Sequence, residues 1–334
     1  MKLYKKYQQV FRAYGIGNPE ILAQYWREPH RYYHNEQHLE FLIKEIENLH
    51  QSGELNEEER DILLMTAYYH DVIYDPTRTD NEKQSADFFV QQADSHPNTS
   101  MVWQMILDTQ THQPHHRLSE VFCALDMKIV SHSSFTELLE WERKIFKEYQ
   151  FLDYSVYQAG RLNLLEKFKK EYPSNQTNLQ HLIDFVKLYK PKIGIYPGSF
   201  NPFHFGHLNI LEKAEKIFDK VIVARGVNPD KMDINTDTLH LQTLKYRQTD
   251  NFSGFLTKYL TSKESHADIT LIRGLRNGDD LDYEVNQLRF MEDMKPELKI
   301  IFLTCDKEFE HISSSSIKNL DKIDPEFSKK YVPS

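Results

Sequence analysis

Two sets of residues in this chain could do chemistry. The first is rich in histidine. HRYYHNEQHLEFL, residues 30–42, spaces His34 and His38 four apart, which on a helix puts both imidazoles on one face. YYHDVIYD, residues 68–75, supplies His70 with Asp71 beside it at the end of an apolar helix. FCALDMKIV, residues 122–130, sets Asp126 in an otherwise apolar helix, where a carboxylate is costly unless paired or metal-bound. His, His-Asp and Asp from separate helices suit a divalent transition metal. Such a centre lowers the pKa of bound water and produces a hydroxide able to attack phosphorus. DTQTHQPHH, residues 108–116, adds His112, His115 and His116; the last two follow a proline in a polar loop and read as solvated.

The second set suits a polyanion. In GSFNPFHFGH, residues 198–207, the run KIGIY ends in a small-residue turn that delivers His204, Gly206 and His207 to a helix start. Free N–H groups and the helix dipole favour an anion there, and Gly206 allows close backbone approach. RGLRNGDD, residues 273–280, ends another strand with Arg273 and Arg276, two guanidiniums three residues apart. ISSSSIK, residues 312–318, opens a helix with four serines whose hydroxyls and amides make a third anion cradle.

These residues need two kinds of scaffold. A chain of 334 residues suggests two domains. Residues 1–190 read as successive helices, with LNEEERDILLMTAYYHD and SSFTELLEWERKIFKEYQ the clearest, and they hold eleven of the 16 histidines. The breaker KPK at 190–192 marks the boundary. From 191 to 334, short β-branched runs (KIGIY, KVIVARGV, DITLIRG, LKIIFLT) alternate with helical segments, which means a parallel α/β sheet with ligands at the strands' carboxyl ends. The net charge of −9 shows no basic excess, so no nucleic-acid partner is expected. No apolar run approaches membrane length, and the N-terminus lacks a signal-peptide core, so a cytoplasmic location is expected. Two cysteines give neither a disulfide framework nor a thiolate cluster.

The motifs YPGSFNPFHFGH, VNPDK, LIRGLRNGDDLDYE, MKPELKIIFLT and ISSSSIK, in that order over 192–320, resemble the phosphopantetheine adenylyltransferases, a branch of the (H/T)xGH nucleotidyltransferases with a Rossmann-like sheet. The resemblance implies AMP transfer from ATP to 4′-phosphopantetheine, with Mg²⁺ on the nucleotide phosphates and a homo-oligomeric assembly. It implies that His207 stabilises the transition state, that His204 and Phe200 lie near the nucleotide, and that Ser199 contacts the acceptor phosphate. It further implies that Lys231 bridges the substrates, that Arg273 and Arg276 bind acceptor and ATP phosphates, that Glu284 lies near adenosine and ribose, and that Ser313, Ser314 and Ser315 hold the triphosphate. Ser199 stands where the family usually has Thr, and Asn201 where it has Asp. The HxGH form also occurs in nicotinamide mononucleotide adenylyltransferases, and residues 232–251 match the pantetheine branch poorly, so a mononucleotide acceptor is the alternative.

The motifs R-YYHN--H, A-Y-HD-IYD, NE--SA and LD over about 25–150 resemble the all-α HD-domain metal-dependent phosphohydrolases. This resemblance implies His34, His70, Asp71 and Asp126 as ligands of Mn, Fe, Ni or Zn. It leaves His38 and His112 behind the ligands or on a substrate phosphate. Asp126-Met127-Lys128 replaces a common DAD, so one carboxylate is lost. A domain of this kind either hydrolyses a phosphoester or nucleotide or serves as a metal-binding regulatory module.

Overall fold

A computed structural model describes residues 2–94, 96–227 and 239–333. The chain divides into two compact units: Met1–Glu148 with Asn163–Asp184, and Tyr149–Leu162 with Phe185–Ser334. Among the described residues, no helix is long and apolar enough to cross a membrane.

The first unit is helical. Its principal helices are α1 (Glu36–Gln51), α2 (Glu57–Tyr69), α3 (Asn81–Gln92), α4 (Thr99–Asp108), α5 (Arg117–Asp126) and α6 (Phe135–Glu148). α2 starts with a reciprocal capping box between Asn56 and Glu59 and has three glutamates in its first turn, which suits the helix dipole. Every residue from Ile62 to Tyr69 is buried, so α2 is the central helix of this unit. Phe11, Trp26, Phe89, Met105 and Phe122 belong to the same core, and the Trp26 indole donates to the Tyr68 carbonyl at 3.1 Å. This arrangement fixes the end of α2, where His70 and Asp71 follow.

One sequence expectation fails here for a local reason. Asn35 caps α1: its backbone is extended and its side chain accepts from the Gln37 amide at 2.9 Å. The helix therefore begins at Glu36, and His34 lies outside it rather than on the face of His38.

Helices α7 (Tyr154–Glu171) and α8 (Gln176–Leu188) lead to the sheet. The sheet contains β1 (Lys192–Gly198), β2 (Lys220–Val227), β3 (Gln248–Ser253), β4 (Asp268–Leu275) and β5 (Ile300–Thr304), in the order β3-β2-β1-β4-β5. All pairings are parallel, with Ile195 of β1 opposite Ile222 on one side and Leu271 on the other. Helices α9 (Phe205–Ala214), α10 (Leu256–Lys263), α11 (Gly278–Met294) and α12 (Ser314–Asp321) complete this unit. The strand order reverses between β1 and β4, so their carboxyl ends diverge and leave a crevice.

The sequence reading located four of the five strands. β3, QTDNFS, is an edge strand with polar residues alternating outward, and it lacks the apolar run that revealed the others. The reading also ended the first domain at 190, whereas residues 149–162 pack with the sheet. The cause is a set of polar ties: Lys263 Nζ lies 2.8 Å from Asp153 and 2.9 Å from Asp250, and Lys220 Nζ donates to the Gln150 carbonyl.

Candidate functional site

In the first unit, α1 contributes His38, the end of α2 contributes His70 and Asp71, and the end of α5 contributes Asp126. His38 Nε2 lies 3.0 Å from Asp126 Oδ1, and His70 Nε2 lies 3.8 Å from the same oxygen and 3.1 Å from Asp71 Oδ2. One donor atom each from His38, His70 and Asp126 falls within 4.8 Å of the others. His70 Nδ1 faces the Ala67 carbonyl at 3.0 Å, which fixes the proton there and leaves the Nε2 lone pair available to a ligand. That Nε2 is buried with no hydrogen-bond partner, because Asp71 is close but out of line. An orphaned imidazole nitrogen among two carboxylates and a second histidine fits a divalent cation.

His112 Nε2 approaches the other Asp126 oxygen at 3.0 Å. Its backbone has φ of 53°, a left-handed conformation that costs a non-glycine residue energy. Glu82, in the first turn of α3, is an addition the residue types alone did not single out. Burial and the nearby Asp71 raise its pKa. Its signal in the sequence was the NE--SA motif.

His34, the expected ligand, stands outside the converging donor group. Its Nδ1 is 2.6 Å from Glu148 Oε2, and His38 stands in the group instead. Arg31 explains the motif's arginine: buried, it donates to the carbonyls of Asp71 at 2.6 Å and Val72 at 3.0 Å, pinning the His34 loop to the His70-Asp71 turn. His115 is exposed, as the sequence reading expected, whereas His116 has a structural part. His115 lies against Asp108, and His116 caps α5 by accepting from the Ser119 amide.

In the second unit, the crevice between β1 and β4 is a cleft of about 370 Å³. His204, Gly206, His207, Arg273, Arg276 and Glu284 line it, with Phe200, Ser313 and Ser314. Ser199 and Ser315 are exposed and are not among the lining residues, and Lys231 lies outside the described residues.

The two histidines form an unusual helix cap. His204 Nδ1 accepts the His207 amide at 3.3 Å, and His207 Nδ1 accepts the His204 amide at 3.2 Å. The rings stack with centroids 3.5 Å apart. A ring nitrogen that accepts carries no proton, so in each neutral ring the proton sits on Nε2. Burial and the Arg276 charge lower His204 to about 4, and burial, His204 and Arg276 hold His207 well below its usual value. The pair therefore works as neutral N–H donors at neutral pH. Gly206 suits the close packing beside them, because a Cβ there would stand a tight 3.1 Å from the His204 ring. Phe200 is buried with φ of 46°, and its ring meets His207 edge-to-face at 5.0 Å. His112 and Phe200 are the two non-glycine residues with positive φ among those described, one in each candidate site.

Arg276 is gripped by Asp280, with Nε and Nη2 at 2.9 and 2.8 Å from its two oxygens. Arg273 Nε and Glu284 Oε2 stand 3.1 Å apart but out of line, and each is buried without a hydrogen-bond partner. Ser313 caps α12, and Ser314 donates to the Pro202 carbonyl at 3.0 Å, joining the serine cradle to the histidine turn. The cleft thus gathers two cationic side chains, two neutral donors and a helix N-terminus, an environment for a polyphosphate.

The Cytidylyltransferase-like family matches residues 195–320, inside this unit. A phosphopantetheine adenylyltransferase of Syntrophomonas wolfei is 38% identical over 137 residues, covering 38% of this chain and 81% of that protein. The chain belongs to the phosphopantetheine adenylyltransferase family. A second member, from Synechococcus, is 36% identical over 138 residues, or 39% of this chain and 85% of its own length. A solved structure described as a putative nicotinate-nucleotide adenylyltransferase from Vibrio parahaemolyticus aligns with 44% of this chain and 88% of its own at 17% identity, with a TM-score of 0.33.

Neutral histidines in this family's signature turn have a measurable consequence. The folded unit keeps both rings unprotonated, while the unfolded chain protonates them near the usual 6.5. The unfolded state then binds more protons below 6.5, and stability falls as pH drops from 6.5 towards 4 by up to about 1.4 kcal/mol per pH unit for each ring. His204→Asn retains a capping acceptor and should reduce that slope relative to the parent. Urea midpoints at pH 7 and pH 5 check this, and parallel slopes for the two proteins would refute it.

Proposed function

We propose that the second unit transfers AMP from ATP to 4′-phosphopantetheine, giving dephospho-coenzyme A and pyrophosphate. The supporting observation is the reciprocal histidine pair at the switch-point cleft, facing Arg273 and Arg276. An acceptor phosphate oxygen forms the new bond to the α-phosphorus, and the bond to the pyrophosphate oxygen breaks with its electron pair. Positioning and charge stabilisation are the protein's main contribution to such a reaction. His207 and His204 donate through Nε2 to oxygens whose charge rises in the transition state. Arg273 and Arg276 neutralise the acceptor phosphate and the departing pyrophosphate, and Glu284 lies by the adenosine. Ser313 and Ser314 present the helix N-terminus to the phosphates, and Mg²⁺ travels on the nucleotide. A mononucleotide acceptor is the second reading, favoured by His204 at the first motif position and by the divergent 232–251 segment. Pyrophosphate release from ATP, compared with 4′-phosphopantetheine and nicotinamide mononucleotide as acceptors, decides between them. Release with neither would overturn both.

We also propose that the first unit is an HD-type metal-dependent phosphohydrolase. His38, His70 and Asp126 hold the cation with Asp71 beside them, and His112 braces Asp126. A bound divalent cation supplies charge neutralisation for a phosphoester and acidifies water.

A further inference from the structure

Glu148 is a heavily bound carboxylate of the first unit that the proposed metal centre does not use. It closes α6, and its side chain is completely buried. Oε1 accepts the backbone amides of Tyr32, Tyr33 and His34 at 2.8, 2.7 and 2.9 Å. Oε2 accepts the Tyr74 hydroxyl at 2.7 Å and faces His34 Nδ1 at 2.6 Å. A buried carboxylate with five such partners is a fixed anion, and a chain with only a structural need for α6 has little reason to bury one.

The object of this grip is His34. Its ring stacks on Tyr74 with centroids 4.5 Å apart, and its backbone carbonyl accepts from Arg31 at 3.2 Å. Carboxylate, phenol and guanidinium thus fix the ring's position, and the carboxylate fixes its tautomer by taking Nδ1–H. Nε2 is left without a hydrogen-bond partner, on a side chain that is 24% exposed. His34 hydrogen-bonds none of His38, His70, Asp71 or Asp126, yet its ring centroid lies 6.3 Å from that of His38. This is an imidazole oriented by an anion on one nitrogen and open on the other, about one phosphoryl group away from the metal donors. The same division of labour recurs wherever a carboxylate positions a histidine for proton transfer.

We propose that His34 is the proton donor to the leaving-group oxygen of a phosphoester bound at the His38–His70–Asp126 centre, and that Glu148 is its positioning residue. This rests on the phosphohydrolase reading of the first unit. A water oxygen forms the new bond to phosphorus, and the bond to the leaving oxygen breaks with its electron pair. That oxygen takes the proton from Nε2 of the His34 imidazolium, whose other proton stays on Nδ1 against Glu148, while the attacking water gives its proton to solvent, from which Nε2 is reloaded. The alcohol leaves neutral, so the step matters most for poor leaving groups.

The test is a leaving-group series on the full chain loaded with Mn²⁺, running from 4-nitrophenyl phosphate to phenyl phosphate. His34→Asn should slow phenyl phosphate by about 100-fold. The loss should shrink to a few-fold for 4-nitrophenyl phosphate, whose phenolate needs little protonation. Glu148→Gln should show the same pattern more weakly. Two readouts besides turnover accompany it. Mn²⁺ affinity, by competition with a fluorescent chelator, should be kept in His34→Asn. ¹⁵N spectra of the imidazoles should show the neutral form of His34 protonated on Nδ1 in the parent and a mixed tautomer in Glu148→Gln. If the parent binds Mn²⁺ but hydrolyses no aryl phosphate, the phosphohydrolase reading falls and takes this inference with it. If the parent is active and His34→Asn is slowed equally across the series, or not at all, the reading stands and His34 is not the donor.

Discussion

His207→Ala is expected to reduce adenylyl transfer by about 10²- to 10⁴-fold while leaving the KM for ATP within a few-fold. The expectation follows from where the residue sits and what it can donate. Its Nδ1 is occupied by the His204 amide, and its ring is held neutral by burial and neighbouring charge. Only Nε2–H remains for the substrate, and a neutral donor strengthens most when the oxygen it faces gains charge. That happens in the transition state, so the loss belongs in kcat rather than in ground-state binding. His207→Asn separates this from a failed helix start, because its side-chain oxygen can still accept the His204 amide. It should keep the parent's thermal midpoint and still lose the rate. Pyrophosphate release at saturating ATP is the measurement, and an unchanged kcat in either variant would remove His207 from the reaction.

The second large effect separates two histidines four residues apart. His38→Ala should weaken divalent-metal binding by at least about 100-fold, and His34→Ala should alter it by no more than a few-fold. His38 lies inside the 4.8 Å donor group, and its loss leaves Asp126 and His70 without their third partner. His34 is held by Glu148 instead. Metal content after dialysis, with circular dichroism to confirm that both variants fold, gives the answer. Equal losses would mean that the donor group extends to His34, and a loss in His34→Ala alone would reinstate the order the motif implies.

Much of the second unit was readable from one dimension. Phosphate sites of this kind are built from contiguous turns, so GSFNPFHFGH, RGLRNGDD and ISSSSIK each carry their strand end, turn and helix start within about ten residues. Periodicity likewise distinguished the helical half from the strand–helix half. What was missed had weak local signals: β3 is polar because it lies at an edge, and residues 149–162 join the sheet through an ion pair of Asp153 with Lys263 and a hydrogen bond from Lys220 to the Gln150 carbonyl, neither of which has a periodic signature.

The sequence by itself determined which residue types were available: histidines and carboxylates for a cation, arginines, serines and a histidine turn for a phosphate chain. Only the tertiary structure decided how they are used. Spacing put His34 and His38 on one helix face and favoured His34 as the ligand, but the Asn35 cap ends that shared face, and Glu148, 114 residues beyond His34, draws that ring away from the converging donor group. The neutrality of His204 and His207 was equally hidden, because it depends on two ring nitrogens accepting each other's amides inside a buried cleft. Tautomer, protonation and ligand choice are set by the groups within a few ångströms, and chain folding brings those groups together from positions that a linear pattern does not connect.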